Sequence, residues 1–141
     1  MNTLAHFYAH PELVCPPAMT PPHVPAMDRK LEIITNRQFN LVKITGYSIA
    51  LHLEVLYEPV VGFIRDHVQI SNELTVCFHY ELFNPTTVKY LFTIIKLLNA
   101  YHAAGKKVEI HWNCGEEMDE MLDTGLDLAM LCTFEFKIAL Q

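Results

Sequence analysis

From Leu31 onward the apolar positions fall into blocks of two alternating periods. LEIIT (31–35) and FNLVKIT (39–45) are short β-rich runs separated by Asn36, Arg37 and Gln38, which predicts a hairpin with a polar loop. Leu53, Leu56, Tyr57, Val60, Val61, Ile64 and Val68 then recur at steps of three and four, the stripe of an amphipathic helix. The stripe keeps its phase across Pro59, so one kinked helix is expected rather than two. Leu74, Val76, Phe78, Tyr80 and Leu82 alternate with Thr75, Cys77, His79 and Glu81, predicting a strand whose first set faces a core. A second helix follows, with Val88, Leu91, Phe92, Ile95 and Leu98 on its buried side, Lys89, Thr93 and Lys96 on its wet side, and Gly105 placed to cap it. VEIHW (108–112) is the next strand, with Val108, Ile110 and Trp112 inward.

Strand, helix and strand joined by short links make a right-handed crossover, so those two strands should be parallel. Residues 116–128 form a third, acidic helix, and FEFKIAL closes the chain with Phe134, Phe136 and Ile138 alternating. The fold class is α/β: a mixed sheet of about five strands with helices packed on one face. On the other face Thr75, Cys77, His79, Glu109, His111, Glu135 and Lys137 are less apolar, and that face is expected to be open to solvent or a partner.

Ahead of this ordered region, six of the eight prolines lie between Pro11 and Pro25. They deny the segment both helix periodicity and ladder hydrogen bonds, so residues 1–27 are read as an extended arm and 28–141 as the domain. His6, His10, Cys15 and His23 in the arm have too irregular a spacing for a metal site. At 141 residues, 51% hydrophobic and 18% charged, the chain suits one compact domain.

A net charge of −6, with ten Lys and Arg and no basic run, offers nothing to a phosphate backbone, which excludes nucleic acid as the expected partner. No stretch reaches the roughly 20 apolar residues that cross a bilayer, and the first residues lack a basic start, so no membrane insertion and a cytoplasmic location are expected. Cys15, Cys77, Cys114 and Cys132 are widely spaced and suggest neither a disulfide framework nor a zinc knuckle. No cofactor is implied.

The sharpest local change is in ELFNPTTVKYLF (81–92), where the strand pattern stops and the second helix begins. Asn84 is a favoured N-cap, Pro85 suits the first helical position, and proline holds its predecessor in the extended geometry an N-cap needs. Thr86 and Thr87 follow in the first turn, although β-branched residues gain nothing there by propensity. Their hydroxyls admit two readings. They help to cap the helix, or they accept a phosphate of about −1.5 to −2 charges where free N–H groups and the helix dipole favour an anion, with Lys89 one turn on as its counter-charge.

FHYELFNPTTVKYLFTIIKLLNAYHAAGKKVEIHW resembles, without a gap, a stretch of the SiaC family of bacterial regulatory phosphoproteins, relatives in fold of the STAS domains of anti-sigma factor antagonists. There a strand leads to Asn-Thr-Ser-Ser-x-Lys, a long helix, a glycine and a strand ending in Trp. The resemblance runs over about residues 28–138 and includes LYEPVVGFI and EEMDEMLDTGLDL. It implies a STAS-like sheet and partner switching in cyclic di-GMP signalling. A kinase phosphorylates the motif's Thr, a phosphatase removes the phosphate, and the unphosphorylated form binds and activates a diguanylate cyclase.

Carried over by position, Asn84 matches the motif's Asn, Thr86 and Thr87 its two Ser, and Lys89 its Lys, so Asn84, Pro85, Thr86, Thr87 and Lys89 are the expected partner-binding residues. Pro85 stands where the family has the phosphorylated Thr. Either the phosphate moves to Thr86 or Thr87, with Thr86 preferred, or the protein is locked in its partner-binding state.

Two other classes compete with a non-enzymatic adaptor. A metal- or thiol-dependent enzyme would use Cys77, His79 and His111, which share a sheet face, but the chain has no G-x-S-x-G, H-E-x-x-H or phosphate-binding glycine loop. A self-associating domain would pair two copies, as a homodimer, through the second sheet face. The acidic residues Glu116, Glu117, Asp119, Glu120, Asp123 and Asp127 are either a solvated face or a means of steering a basic partner.

Overall fold

The computed structural model describes residues 4–8 as backbone and residues 30–140 in full. Nine elements follow one another: β1 (Leu4–Tyr8), β2 (Leu31–Asn36), β3 (Leu41–Ser48), α1 (Glu54–Ile70), β4 (Glu73–Phe83), α2 (Pro85–Ala103), β5 (Lys107–Cys114), α3 (Asp119–Ala129) and β6 (Glu135–Leu140). They build a mixed sheet in the order β1-β6-β5-β4-β3-β2, in which only the β2–β3 hairpin is antiparallel. Five strands come from the region read as the domain. The sixth, β1, comes from the stretch read as an arm, and the rest of that stretch, with its metal-binding candidates His10, Cys15 and His23 and the side chain of His6, lies outside the described residues.

One register row explains the core. Val42, Val76, Ile110 and Phe136 lie side by side across four strands, and Ile44, Phe78, Trp112 and Ile138 form the next row on the same face. These rows pack against Tyr57, Val60, Ile64 and Val68 of α1, Leu91, Ile94 and Leu98 of α2, and Met121 and Leu128 of α3 in one continuous cluster. Each such side chain contributes roughly 1.5–3 kcal/mol by leaving water. Pro59 stays inside an unbroken α1.

The end of α2 is set by Gly105 at φ +88, which lets Gly105 N–H donate to the His102 carbonyl and Lys106 N–H to the Tyr101 carbonyl, each at 3.0 Å. That paired 5→2 and 6→1 arrangement satisfies carbonyls the helix leaves open. Trp112 fixes α3: its indole N–H donates to the Met121 carbonyl at 3.0 Å, and its ring lies where a Cβ on Gly125 would be 2.5 Å from Cδ1.

Three expectations need correction. Leu82 and Phe92 are about half exposed and Leu56 is 37% exposed, so none of the three is an inward residue. The β3–β4 register runs Gly46–Tyr80 and then Tyr47–Leu82, so Glu81 is an extra residue that reverses the alternation and turns Phe83 toward the core. The third helix begins at Asp119 rather than 116, after a turn in which Met118 N–H donates to the Gly115 carbonyl.

The third correction concerns the second sheet face, which is only partly open: Cys77 and His111, with Lys43, Thr45 and Asn113, are buried, while Thr75, His79, Glu109, Glu135 and Lys137 are half-buried.

Because β3, β4 and β5 run in one direction, α1, α2 and α3 all begin at the same rim of the sheet. The opposite rim is tied by Asn40, in the positive-φ region at +54. Its side chain accepts from His67 Nε2 at 2.7 Å and Ser71 Oγ at 2.9 Å and donates to Glu73 at 3.0 Å. This geometry assigns the His67 proton to Nε2 and leaves its buried Nδ1 without a partner among the described residues.

Candidate functional site

At the rim where the helices start, the chain stops being a strand at Asn84. Its backbone is extended (φ −110, ψ 174), and its Oδ1 accepts from Thr87 N–H at 3.1 Å, the N-cap bond read from the sequence. Pro85 occupies the first helical position. The two threonines, adjacent in sequence, part company here because successive helical residues turn by about 100°. Thr86 points out and is exposed, whereas Thr87 is fully buried. Lys89, one turn beyond Thr86, is also exposed.

Thr87 therefore leaves the set of surface residues, both as a partner contact and as a phosphate acceptor. Its Oγ1 donates to the Ser48 carbonyl at 2.8 Å and lies 2.6 Å from Ser48 Oγ. Ser48 Oγ lies 2.7 Å from Tyr57 Oη, which lies 2.8 Å from Tyr80 Oη. With the Thr87 hydroxyl donating to the Ser48 carbonyl, or to Asn84 Oδ1 at 3.3 Å, every group is satisfied when Tyr80 donates to Tyr57, Tyr57 to Ser48 and Ser48 to Thr87. Burial holds the Tyr80 phenol far above its ordinary pKa, with the neighbouring Tyr57 adding to the shift; burial also raises Tyr57, so both remain neutral donors. The Tyr57 ring stacks on Tyr90 of α2, centroids 5.0 Å apart and 9° from parallel, so α1, α2, β3 and β4 meet at this point.

The accounting of helix donors is equally specific. Asn84 N–H donates to the Ser48 carbonyl at 3.2 Å, Pro85 has no N–H, and Thr87 N–H is taken by Asn84. Of the four N–H groups that a helix start leaves open, only that of Thr86 is engaged by neither Ser48 nor Asn84. The mouth is thus much less of an anion cradle than an uncapped helix start, and charge recognition there falls to the Thr86 N–H, the helix dipole and Lys89.

The residues of the enzyme reading are brought together, Cys77 and His111 away from solvent and His79 half-buried. Register places Cys77 directly beside His111, with His79 two positions along β4. Cys77 is 1% and His111 6% exposed, and His111 Nε2 lies 3.2 Å from Glu109 Oε1. Glu109 also meets Lys137 Nζ at 3.2 Å, and these contacts, His111 first and Lys137 after it, outweigh the cost of burial and lower its carboxyl to about 2. Among the described residues, no group of three or more His, Cys, Asp or Glu side chains is gathered to hold a metal ion. The six acidic positions from Glu116 to Asp127 are all exposed.

Ser48, Tyr57 and Tyr80 are the site residues that sequence reasoning missed. They come from three elements and share no spacing, and only the topology makes them neighbours.

The fold has close counterparts. It superposes on a chain of the crystal structure of diguanylate cyclase SiaD in complex with its activator SiaC from Pseudomonas aeruginosa with a TM-score of 0.77, at 18% identity, covering 86% of this chain and 100% of that one. A structure of SiaC of Pseudomonas aeruginosa gives 0.74 at 19% identity, covering 87% and 100%, and apo-SiaC from the same organism 0.70 at 17%, covering 86% and 99%. No curated protein sequence gives a significant match. The sequence profile described as SiaC family regulatory phosphoprotein matches residues 24–141, and the chain belongs to that family.

Proposed function

We propose that this protein is a non-enzymatic cytoplasmic regulator that docks on partner proteins through the mouth of α2, activates a diguanylate cyclase, and is controlled by a kinase and a phosphatase acting on Thr86. The observation that carries this reading is the opposite fate of two adjacent hydroxyls: Thr86 is presented to solvent while Thr87 is locked inside. Family membership and the likeness to an activator crystallised with its cyclase support the choice of partner. No helix among the described residues is long and apolar enough to cross a membrane.

The chemistry follows from the site. Pro85 offers no side-chain hydroxyl, so a phosphate at this mouth needs Thr86. There it adds about −1.5 to −2 charges and considerable bulk to the first turn, beside Lys89 and the one remaining N–H. A partner that packs on the uncharged mouth meets a group that must be desolvated, and it leaves.

The test has two arms. Incubation with the cognate kinase and ATP, followed by phosphopeptide mapping, should place one phosphate on Thr86. Calorimetry should show the unmodified chain binding its cyclase and the Thr86→Glu variant binding it weakly or not at all. Binding without any modification would leave the locked adaptor; no binding of the unmodified chain would end the reading.

A further inference from the structure

The rim around the α2 mouth carries more exposed apolar surface than capping needs. Leu51 is 86% and Val55 69% exposed, and Ile49 and Leu82 are about half exposed. They are not scattered. Tyr47 and Ser48 pair in register with Leu82 and Phe83, and the Ser48 carbonyl takes both Asn84 N–H and the Thr87 hydroxyl. The segment that carries Ile49, Leu51 and Val55 is therefore fastened to the mouth itself. Single exposed apolar residues need no explanation, but a cluster at one rim does.

The charge around the cluster is mainly negative, with Lys89 on the α2 side as a cation among carboxylates. Glu54, Glu58 and Glu81 are exposed. Glu54 meets only His52, at 3.3 Å, and Glu58 and Glu81 form no ion pair among the described residues. Tyr57, next to Glu58 and one turn after Glu54 on α1, stacks on Tyr90 with ring centroids 5.0 Å apart, which brings this stretch of α1 against the α2 turn that follows Thr86.

We infer that the docking surface extends from the α2 mouth over Ile49, Leu51, Val55 and Leu82, and that its occupant is a partner segment presenting apolar side chains flanked by Lys or Arg. The apolar cluster supplies the contact that persists, and the acidic rim steers the approach and rejects other occupants. A second copy of this chain would bring the same carboxylates against these, and an anionic lipid surface would be repelled. The inference rests on the functional reading above and names the chemistry of its partner.

The experiment measures binding of the purified cyclase from the same bacterium to the full chain and its variants, with urea unfolding as the check on folding. Leu51→Ser combined with Val55→Ser should weaken binding about tenfold or more while leaving the unfolding midpoint in place. Glu54→Gln with Glu58→Gln should slow association and flatten its salt dependence. Phe39→Ser, in the exposed hairpin turn at the opposite rim, should change neither.

Wild-type-like binding by the Leu51 and Val55 variant, with Thr86→Glu still weak, overturns this surface and leaves the functional reading standing. Failure of the wild type to bind overturns both. Light scattering that shows a wild-type dimer made monomeric by the serine variant would assign the patch to a second copy and overturn the inference.

Discussion

The Thr87 hydroxyl lies 2.6 Å from the Ser48 hydroxyl and donates to the Ser48 carbonyl at 2.8 Å, so one side chain joins the start of α2 to the end of β3 by two bonds. Everything at this rim follows from that clamp.

The first prediction concerns the chain of hydroxyls behind it. Thr87→Val keeps the shape and leaves Ser48 Oγ without an acceptor, at a cost of about 1–3 kcal/mol. Tyr57→Phe strands Tyr80 below it and deprives Ser48 of a donor, so it should cost a similar amount. Tyr80→Phe removes only a terminal donor and should cost less, about 0.5–1.5 kcal/mol. Urea unfolding that ranks Tyr80→Phe above Tyr57→Phe would contradict the assigned direction of donation.

Capping gives a second prediction. Asn84→Ala removes the acceptor of Thr87 N–H and should destabilise by about 0.5–2 kcal/mol, whereas Asn84→Asp keeps the acceptor and adds a favourable charge. Thermal melts should place the Asp variant at or above the wild type and the Ala variant below it.

The third lies at the far side of the core. A methyl group on Gly125 would meet Trp112 Cδ1 at 2.5 Å and Nε1 at 2.6 Å, with no room for the ring to retreat while it donates to Met121. Gly125→Ala should therefore cost about 1–3 kcal/mol despite alanine's better helix propensity. Trp112 is the only tryptophan, so its fluorescence reports the displaced indole directly.

Acid should act in two stages. Burial, and then the charge of Arg37, hold the His67 pKa below 6.5. As pH falls through 6.5 the unfolded chain takes up a proton that the folded one refuses, and stability declines until the folded pKa is passed. Glu109 works lower: its carboxylate contributes fully above about 4.5, and that contribution is lost as pH falls toward about 2. For this half-buried group, screened by solvent, the loss is on the order of 1 kcal/mol. Unfolding free energies measured across the acid range should lose the upper step in His67→Gln and the lower one in Glu109→Gln.

Much of this architecture was legible because it is local. Asn84 and Pro85 announced the strand's stop and the helix's start side by side, and Gly105 marked the helix's other end. What escaped was set by pairing between distant segments. Leu82 reads as a core residue until Glu81 bulges opposite Gly46 and Tyr47, and nothing in β4 itself records that. Thr86 and Thr87 look equivalent as letters; one turn of helix separates them into an offered hydroxyl and a structural one. Ser48, Tyr57 and Tyr80 carry no shared period, and nothing in the sequence told Cys77 and His111, buried on the second sheet face, from the half-buried residues beside them.

The shared direction of β3, β4 and β5 gathers three short links, 49–53, Asn84 and 115–118, along one edge, away from the register rows that hold the core. Leu53 and Met118 on those links pack into the core and Asn84 caps α2, but the exposed side chains beside them, Ile49, Leu51 and Glu116 among them, can be exchanged without disturbing an inward-facing pair. A new binding preference can accordingly be written on this scaffold by editing a few connecting residues, while the layers beneath keep their shape.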